Sequence, residues 1–291
     1  MNGKAPAVSV VMPLYNGAAF LDETVQSVLA QTLTDFELLI VDDGSTDGSH
    51  EKARDWAARH PERISVLTHP GNANRGCTVS RNLGVQKARA DLIALIDADD
   101  TWPRDKLAHQ IDLFDRHPEL GLVGGAALYW DSWRSGDDWL VIAGHRADAV
   151  IPPGEAARLT YPLGTAQAPC PSTLMVRRNL VDRIGGFEER FNGPYQLYED
   201  QAFLIKCYIE SPVYMTSRIF CNYRQHETSC VSTVMGDGRY HEVRHFFLDW
   251  LSNYLDRRGI ADPALRKKLE RARMAYGNPI QRLAAKVLAP R

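Results

Sequence analysis

The stretch LIALIDADDTW, residues 92–102, decides how this chain is read. Residues 92–96 are apolar, and the carboxylates Asp97, Asp99 and Asp100 follow at once. A short apolar run bounded by polar residues reads as a buried strand. Acids carried to the end of such a strand can cap the next helix, bind a cation or move a proton. The flanking sequence narrows that choice.

Upstream, strand and helix patterns alternate. AVSVVMPLY (7–15) is a strand, and AAFLDETVQSVLAQT (18–32) places Leu21, Val25, Val28 and Leu29 on one helical face. FELLIVDD (36–43) is a second strand. GSTDGSHEKARDWAARH (44–60) follows as a helix with Ser45 and Thr46 as candidate caps. RISVLTH (63–69) is a third strand, and TVSRNLGVQKA (78–88) a helix carrying Val79, Leu83 and Val85. After residue 102, PRDKLAHQIDLFDRH (103–117) opens a helix with proline in its first turn. This alternation predicts an α/β fold, a mostly parallel, doubly wound sheet with helices on both faces.

Beyond residue 118 the pattern changes. GLVGGAALYW (121–130), DDWLVIAGH (137–145) and STLMVRR (172–178) read as strands, PVYMTSRIFCNYRQH (212–226) as one strand or a pair of strands, and LYEDQAFLIKCYIES (197–211) as a helix. The Pro/Gly-rich passage at 151–171 reads as a loop shaping one side of a site. From about residue 238 the chain reads as helical. The expected organisation is one domain over 1–235, with an alternating half at 1–117 and a second half at 118–235, then a helical extension over 236–291.

The 291 residues are 44% hydrophobic and 24% charged with a formal net charge of −2, so no global charge points to nucleic acid. The five cysteines show no metal-site or disulfide-framework spacing, which favours a reducing, cytoplasmic setting. No apolar run is long enough for a membrane span, and the N-terminus reads as a first strand rather than a signal peptide. ALRKKLERARMAYGNPIQRLAAKVLAPR (264–291) is rich in Arg and Lys with the single acid Glu270. It is either a solvated helix on the domain's flank or a peripheral contact with the inner face of a membrane carrying a lipid-linked acceptor.

In parallel α/β sheets ligands bind beyond the carboxyl ends of the strands. Tyr15 and Asn16, Asp42 and Asp43, and the three acids after residue 96 are all predicted at that rim. A D-x-D pair there can hold a hard divalent cation through oxygen and leave positions for water and substrate phosphates. Asp100 also precedes Pro103 and a helix, and is read as that helix's cap. No turn carries the G-x-G-x-x-G fingerprint and no Walker lysine motif appears, which argues against a dinucleotide-dependent dehydrogenase.

These residues carry a family resemblance. The segments VSVVMPLYNGAAFLDETVQSVLAQTLTDFELLIVDDGSTD and NRGCTVSRNLGVQKARADLIALIDADDTW resemble the nucleotide-sugar-binding half of glycosyltransferase family 2, inverting enzymes of the GT-A fold, here of bacterial type. The resemblance runs through about the first 117 residues and continues more thinly in GGFEERF, YEDQAFLIKC and YRQHETS. It implies that Pro13 and Tyr15 line a nucleobase pocket and that an acid of the Asp42–Asp43 pair bonds the base or ribose. Asn74 and Arg81 would lie near the nucleotide or its pyrophosphate. Asp97 would face the ribose, and Asp99 a Mn²⁺ or Mg²⁺ ion bridging the diphosphate. Asp200 would be the general base, and His226 resembles a histidine that relatives place on the metal.

Each of these residues also has a plainer reading. Asp43 and Ser45 suit a turn and cap, and Glu199 and Asp200 suit a helix N-terminus. Arg81 could face solvent, His226 could be an ordinary histidine, and Cys77 reads as packing. The implied reaction is displacement of a nucleoside diphosphate, UDP favoured, at an anomeric carbon by the hydroxyl of a saccharide or lipid-linked acceptor. One carboxylate base suffices for inversion, since a diphosphate leaves without a general acid. A sugar-nucleotidyltransferase and a non-catalytic scaffold on the same fold are the rivals. The first usually presents a glycine- and arginine-rich loop after strand one, which MPLYNGAAF is not.

Overall fold

A computed structural model describes residues 5–227 and 238–276. Among them, β1 (Val8–Leu14), α1 (Leu21–Leu29), β2 (Phe36–Asp42), α2 (Ser49–Arg59), β3 (Ile64–Thr68), α3 (Cys77–Lys87) and β4 (Leu92–Leu95) form the alternating half. The chain continues through α4 (Lys106–Arg116), β5 (Leu122–Trp130), β6 (Trp139–Val141), β7 (Ala149–Ile151), α5 (Glu155–Leu159), β8 (Met175–Arg177) and α6 (Arg178–Ile184). Then come α7 (Glu199–Glu210), β9 (Val213–Arg224), α8 (Tyr240–Arg257) and α9 (Pro263–Met274).

The sheet runs β3-β2-β1-β4-β8-β5-β9-β7, with β6 added on β5. β3, β2, β1 and β4 are parallel neighbours, and β5 is parallel to β9. β8 is antiparallel to both β4 and β5 and so joins the two parallel blocks. Every residue of β1 and β2 is buried, as strands covered on both faces require.

Side chains alternate between two cores. Val8, Val10, Met12 and Leu14 meet α1, α2 and α4 through Leu21, Val25, Trp56 and Phe114. Val11, Leu39, Ile93 and Leu95 face the other layer, with Val85 of α3 and Phe203 of α7. Phe247, Trp250 and Leu251 of α8 and Leu265 and Leu269 of α9 belong to this second core. The C-terminal helices therefore pack against the body through this core.

Two local expectations need correction, and one left open is settled. α3 does not rest on Val79 and Leu83, which are half-buried; Thr78, Arg81, Gly84 and Val85 face inward. Gly84 is why the helix lies so close, since a Cβ there would come 2.4 Å from Val11 Cγ1. The 212–226 segment is one twelve-residue strand whose register shifts opposite residues 125–127. The helix after the D-x-D segment starts at Lys106, and neither its Asp105 cap position nor Asp100 makes a side-chain cap bond.

Candidate active site

The carboxyl ends of β1, β2 and β4 open into a cleft of about 820 Å³, which α3, α7 and the start of α8 help to enclose. It is lined by Pro13, Tyr15, Asp43, Asn74, Arg81, Asp97, Asp99, Asp200 and His226, nine of the ten residues singled out from the sequence.

The tenth, Asp42, lies outside the cleft. It is fully buried, accepts from the Ser45 N–H (3.3 Å) and lies 3.2 Å from His50 Nδ1. Its neighbour Asp43 is the one at the cleft, accepting from the backbone N–H groups of Arg75 (2.7 Å) and Gly76 (2.8 Å). That fastens the segment leading into α3. The close approach of this segment also requires Gly44: at φ +78°, a Cβ there would meet Asn72 O at 2.6 Å.

Ser45 and Thr46 do not cap α2. Ser45 Oγ accepts from Asn16 N–H (3.0 Å), and Thr46 N–H donates to Asn16 Oδ1 (2.8 Å), so together they tie down the turn after β1. Asp47 instead accepts from the Ser49 N–H (3.0 Å) at the start of α2. Tyr15, held on that turn, is 55% exposed and free to meet a flat ligand at the cleft mouth. Cys77 lines the cleft rather than serving only as packing.

The acids of the D-x-D segment take three different positions. Asp97 accepts from Arg81 Nη2 (2.6 Å), and its own N–H donates to Ser172 Oγ (3.0 Å). Asp99, 34% exposed, places Oδ2 2.9 Å from His226 Nε2. Asp100 is buried, accepting from Ser172 Oγ (2.5 Å) and from the Arg224 N–H (3.0 Å). The expected capping role of Asp100 is thus replaced by a long-range brace between β4, the 171–173 turn and β9.

Arg81 does not face solvent. Its guanidinium is buried between Asp97 and Glu199, donating to both. Glu199, read from sequence as a helix-terminus acid, is a buried partner of Arg81 118 residues away. No local pattern announces such a pair. Arg224 was missed for the same reason. It donates to Asp99 O (2.8 Å) and Glu23 Oε2 (2.5 Å), and its guanidinium lies over the rings of Phe20, Trp130 and Trp133. Tyr161 and Tyr240, whose hydroxyls are 3.0 Å apart, close the far wall.

The electrostatics are unusual for a place that must receive a ligand. Among the described residues, Asp43, Asp97, Asp99, Glu199 and Asp200 line the cleft against one permanent cation, Arg81. Burial raises Asp97 and Glu199 above the ordinary carboxylate range, with Arg81 opposing the rise. Burial, with Glu199 beside it, pushes Asp200 up to about 7, while hydrogen bonds from Gln201 pull the other way. Glu199 Oε2, Arg81 Nε and Gln201 Oε1 are buried without a protein partner among the described residues, so polar capacity is left over at the cleft.

A divalent cation fits this donor chemistry. Asp99 and His226 supply a carboxylate oxygen and an imidazole nitrogen that already touch, and Asp99 remains partly open to water or substrate oxygen. No cluster of three protein donors exists among the described residues, so a cation here would share its coordination with the ligand.

Comparison with known proteins bears on the family of the chain. A model of glycosyl transferase family 2 matches residues 9–185. TuaG of Bacillus subtilis strain 168, provisionally named a teichuronic acid biosynthesis glycosyltransferase, is 38% identical over 132 residues, covering 45% of this chain and 51% of that protein. EpsE of the same organism, provisionally named a glycosyltransferase, is 31% identical over 184 residues, 62% of this chain and 60% of that protein. The chain therefore spans little more than half the length of these relatives. Among solved structures, Staphylococcus aureus TarS 1–349 in complex with UDP-GlcNAc matches with a TM-score of 0.64 at 19% identity, covering 91% of this chain and 70% of that one. The mannosyltransferase PcManGT of Pyrobaculum calidifontis, in complex with GDP-Man and Mn²⁺, gives 0.61 at 20% identity, covering 98% and 74%. At those identities the structural likeness speaks for the GT-A-type fold alone. The family match covers more than half of the chain and joins β1, β2 and β4 to the cleft they build, and on that ground the chain belongs to glycosyl transferase family 2.

Proposed function

We propose that the protein is a metal-dependent, inverting glycosyltransferase that moves a sugar from a nucleoside-diphosphate sugar, UDP favoured, to an acceptor hydroxyl in polysaccharide or glycoconjugate assembly. The observation that carries this reading is the division of one acid-rich cleft. Asp99 and His226 touch each other in it, and Asp200, held half-ionised near neutrality, lines the same space.

Asp99 and His226 would hold Mn²⁺ or Mg²⁺, whose chemistry is to neutralise charge developing on the departing diphosphate. Without a cation, a diphosphate entering among five acids would meet net repulsion. Tyr15 and Pro13 would flank the base. Asp43, which accepts two backbone N–H groups and has His69 Nε2 3.4 Å from Oδ1, has a further lone pair on Oδ2 that could accept the ring N–H of uracil. Arg81 is shared by Asp97 and Glu199 and offsets one of their two charges, leaving Glu199 Oε2 able to accept from a sugar hydroxyl. Asp200 takes the proton of the acceptor hydroxyl as that oxygen attacks the anomeric carbon. A pKa near 7 makes it a stronger base than an ordinary carboxylate while it stays substantially ionised at neutral pH.

The TuaG likeness supports a polysaccharide acceptor. Peripheral contact with the inner face of a membrane would fall to the basic C-terminal segment. Its described part presents Lys267 and Arg271 to solvent while Arg266 and Arg273 pair with Asp256 and Asp249, and residues 277–291 lie outside the described residues. No helix among the described residues is long and apolar enough to cross a membrane.

The test is nucleotide release from a panel of UDP-, GDP- and dTDP-sugars, with and without Mn²⁺, and NMR of any product's anomeric centre. Release from one nucleotide class with inverted configuration is expected. Pyrophosphate formation from a nucleoside triphosphate and a sugar phosphate, or retention at the anomeric centre, would overturn the reading.

A further inference from the structure

The second half of the sheet carries a feature that the transfer chemistry does not use. β9, β5 and β6 lie side by side, and their register sets Tyr223 beside Tyr129 and Tyr129 beside Trp139. Cross-strand neighbours share a face of the sheet. The rings follow one another at centroid distances of 4.8 Å and 5.3 Å. Tyr223 and Tyr129 line the cleft, whereas Trp139 lies beyond it on the edge strand with 48% of its surface exposed.

At the inner end of the row, Tyr223 and Tyr129 line the same cleft as Asp200. The outer end is rigidly presented. Asp138, next to Trp139, accepts from the N–H of Asp131 (2.9 Å), the N–H of Ser132 (2.8 Å) and Ser132 Oγ (2.9 Å). Trp133 Nε1 donates to Gln225 O (3.1 Å), fixing the same hairpin to the end of β9 beside His226. A large apolar ring held out in water by this many bonds is pre-organised for a ligand.

We propose that Tyr223, Tyr129 and Trp139 form a track for a carbohydrate acceptor several sugars long, whose growing end reaches Asp200 while the preceding residues pass outward over the rings. This rests on the glycosyl-transfer reading above. Aromatic rings present an electron-rich face to the polarised C–H face of a pyranose, and tyrosine hydroxyls at the inner end suit its hydroxyl groups. A lipid chain would instead bury those hydroxyls and the nearby carboxylates without partners, at a cost. The acceptor class selected is a polysaccharide or oligosaccharide rather than a single sugar.

The full chain, fluorescently labelled, is applied to an array of immobilised mono- to hexasaccharides, as wild type, Trp139→Ala and Trp139→Phe. Wild type should retain some longer glycan in preference to its single sugars. Trp139→Ala should weaken that retention roughly two- to tenfold, the worth of one aromatic contact, and Trp139→Phe should recover most of it. Retention of no glycan, retention independent of chain length, or retention unchanged in Trp139→Ala overturns the track. So does binding to phosphatidylglycerol vesicles that is lost in Trp139→Ala without any glycan retention. Nucleotide release by the wild-type protein tests the underlying reading separately, because it needs no acceptor track.

Discussion

Arg81→Met isolates the charge arrangement on which the cleft depends. Methionine keeps a chain of similar length in the buried space but removes the guanidinium that Asp97 and Glu199 share. Arg81 is 2% exposed, Glu199 9% and Asp97 26%, so the Glu199 half is effectively desolvated and the Asp97 half is partly screened. Breaking a buried pair by removing one partner costs about 3–5 kcal/mol, which at this size lowers Tm by roughly 10 °C. The loss should depend on pH in a definite direction. Burial already lifts both carboxyls above their unfolded values, and Arg81 is the main influence opposing that rise. Without it both would rise further. The variant's penalty is then absent below the unfolded pKa values, where the acids are neutral in either state, and complete above the folded ones. Differential scanning fluorimetry of both proteins between about pH 5 and pH 8 would therefore show a Tm gap that widens as pH rises. A gap of the same size at both ends, or one of only about 2 °C, would refute the buried-charge reasoning.

Asp200→Asn should lower kcat by about 10²–10⁴-fold, with donor affinity held within severalfold. In the wild type the rate should climb with pH and level off above about 7, where the folded carboxyl is ionised; a rate flat down to the ordinary carboxylate range would count against Asp200 as the base. Asp100→Ala and Asp99→Ala should separate structure from chemistry. The first strands the Ser172 hydroxyl and the Arg224 N–H and should cost roughly 2–4 kcal/mol in urea unfolding, whereas the second should spare stability and remove nucleotide release. Equal stability losses would mean that the acids are not divided in this way. Lys106 is fully buried, bonded to Gln110 and seated 3.8 Å from the Trp102 ring centroid, and burial lowers it to about 7. Its folded pKa lies below the unfolded one, so the burden it places on stability is largest below 7 and fades towards the unfolded value. Lys106→Met should accordingly raise Tm more in mild acid than in mild alkali, and the reverse order would contradict it.

The alternating half was legible because its physics is local. Buried strands such as β2 show continuous apolar runs, here residues 38–41, and polar or turn residues mark where they end. The rim residues followed from that topology, since parallel strands deliver their carboxyl ends to one edge. What escaped was set by partners far along the chain. Asp100 and the residues before Pro103 have the local look of a helix start, yet Asp100 answers to Ser172 and Arg224, 72 and 124 residues away. Asp42 and Asp43 are indistinguishable in sequence; the end of β2 sends one into the interior with His50 and the other to the cleft. Arg81 reads as a polar helix residue until Glu199 folds onto it. In the C-terminal helices the apolar positions are spread through charged sequence, and only packing shows Phe247 and Trp250 in the core.

The central claim, that this acid-rich cleft takes a nucleoside diphosphate with a cation held by Asp99 and His226, is tested most directly by calorimetric titration of UDP into the wild-type protein in Mn²⁺ and in excess chelator. Binding in Mn²⁺ that is lost in chelator, and weakened in His226→Ala, is the expected result. Equal affinity in both buffers, or no binding of UDP in either, would contradict it.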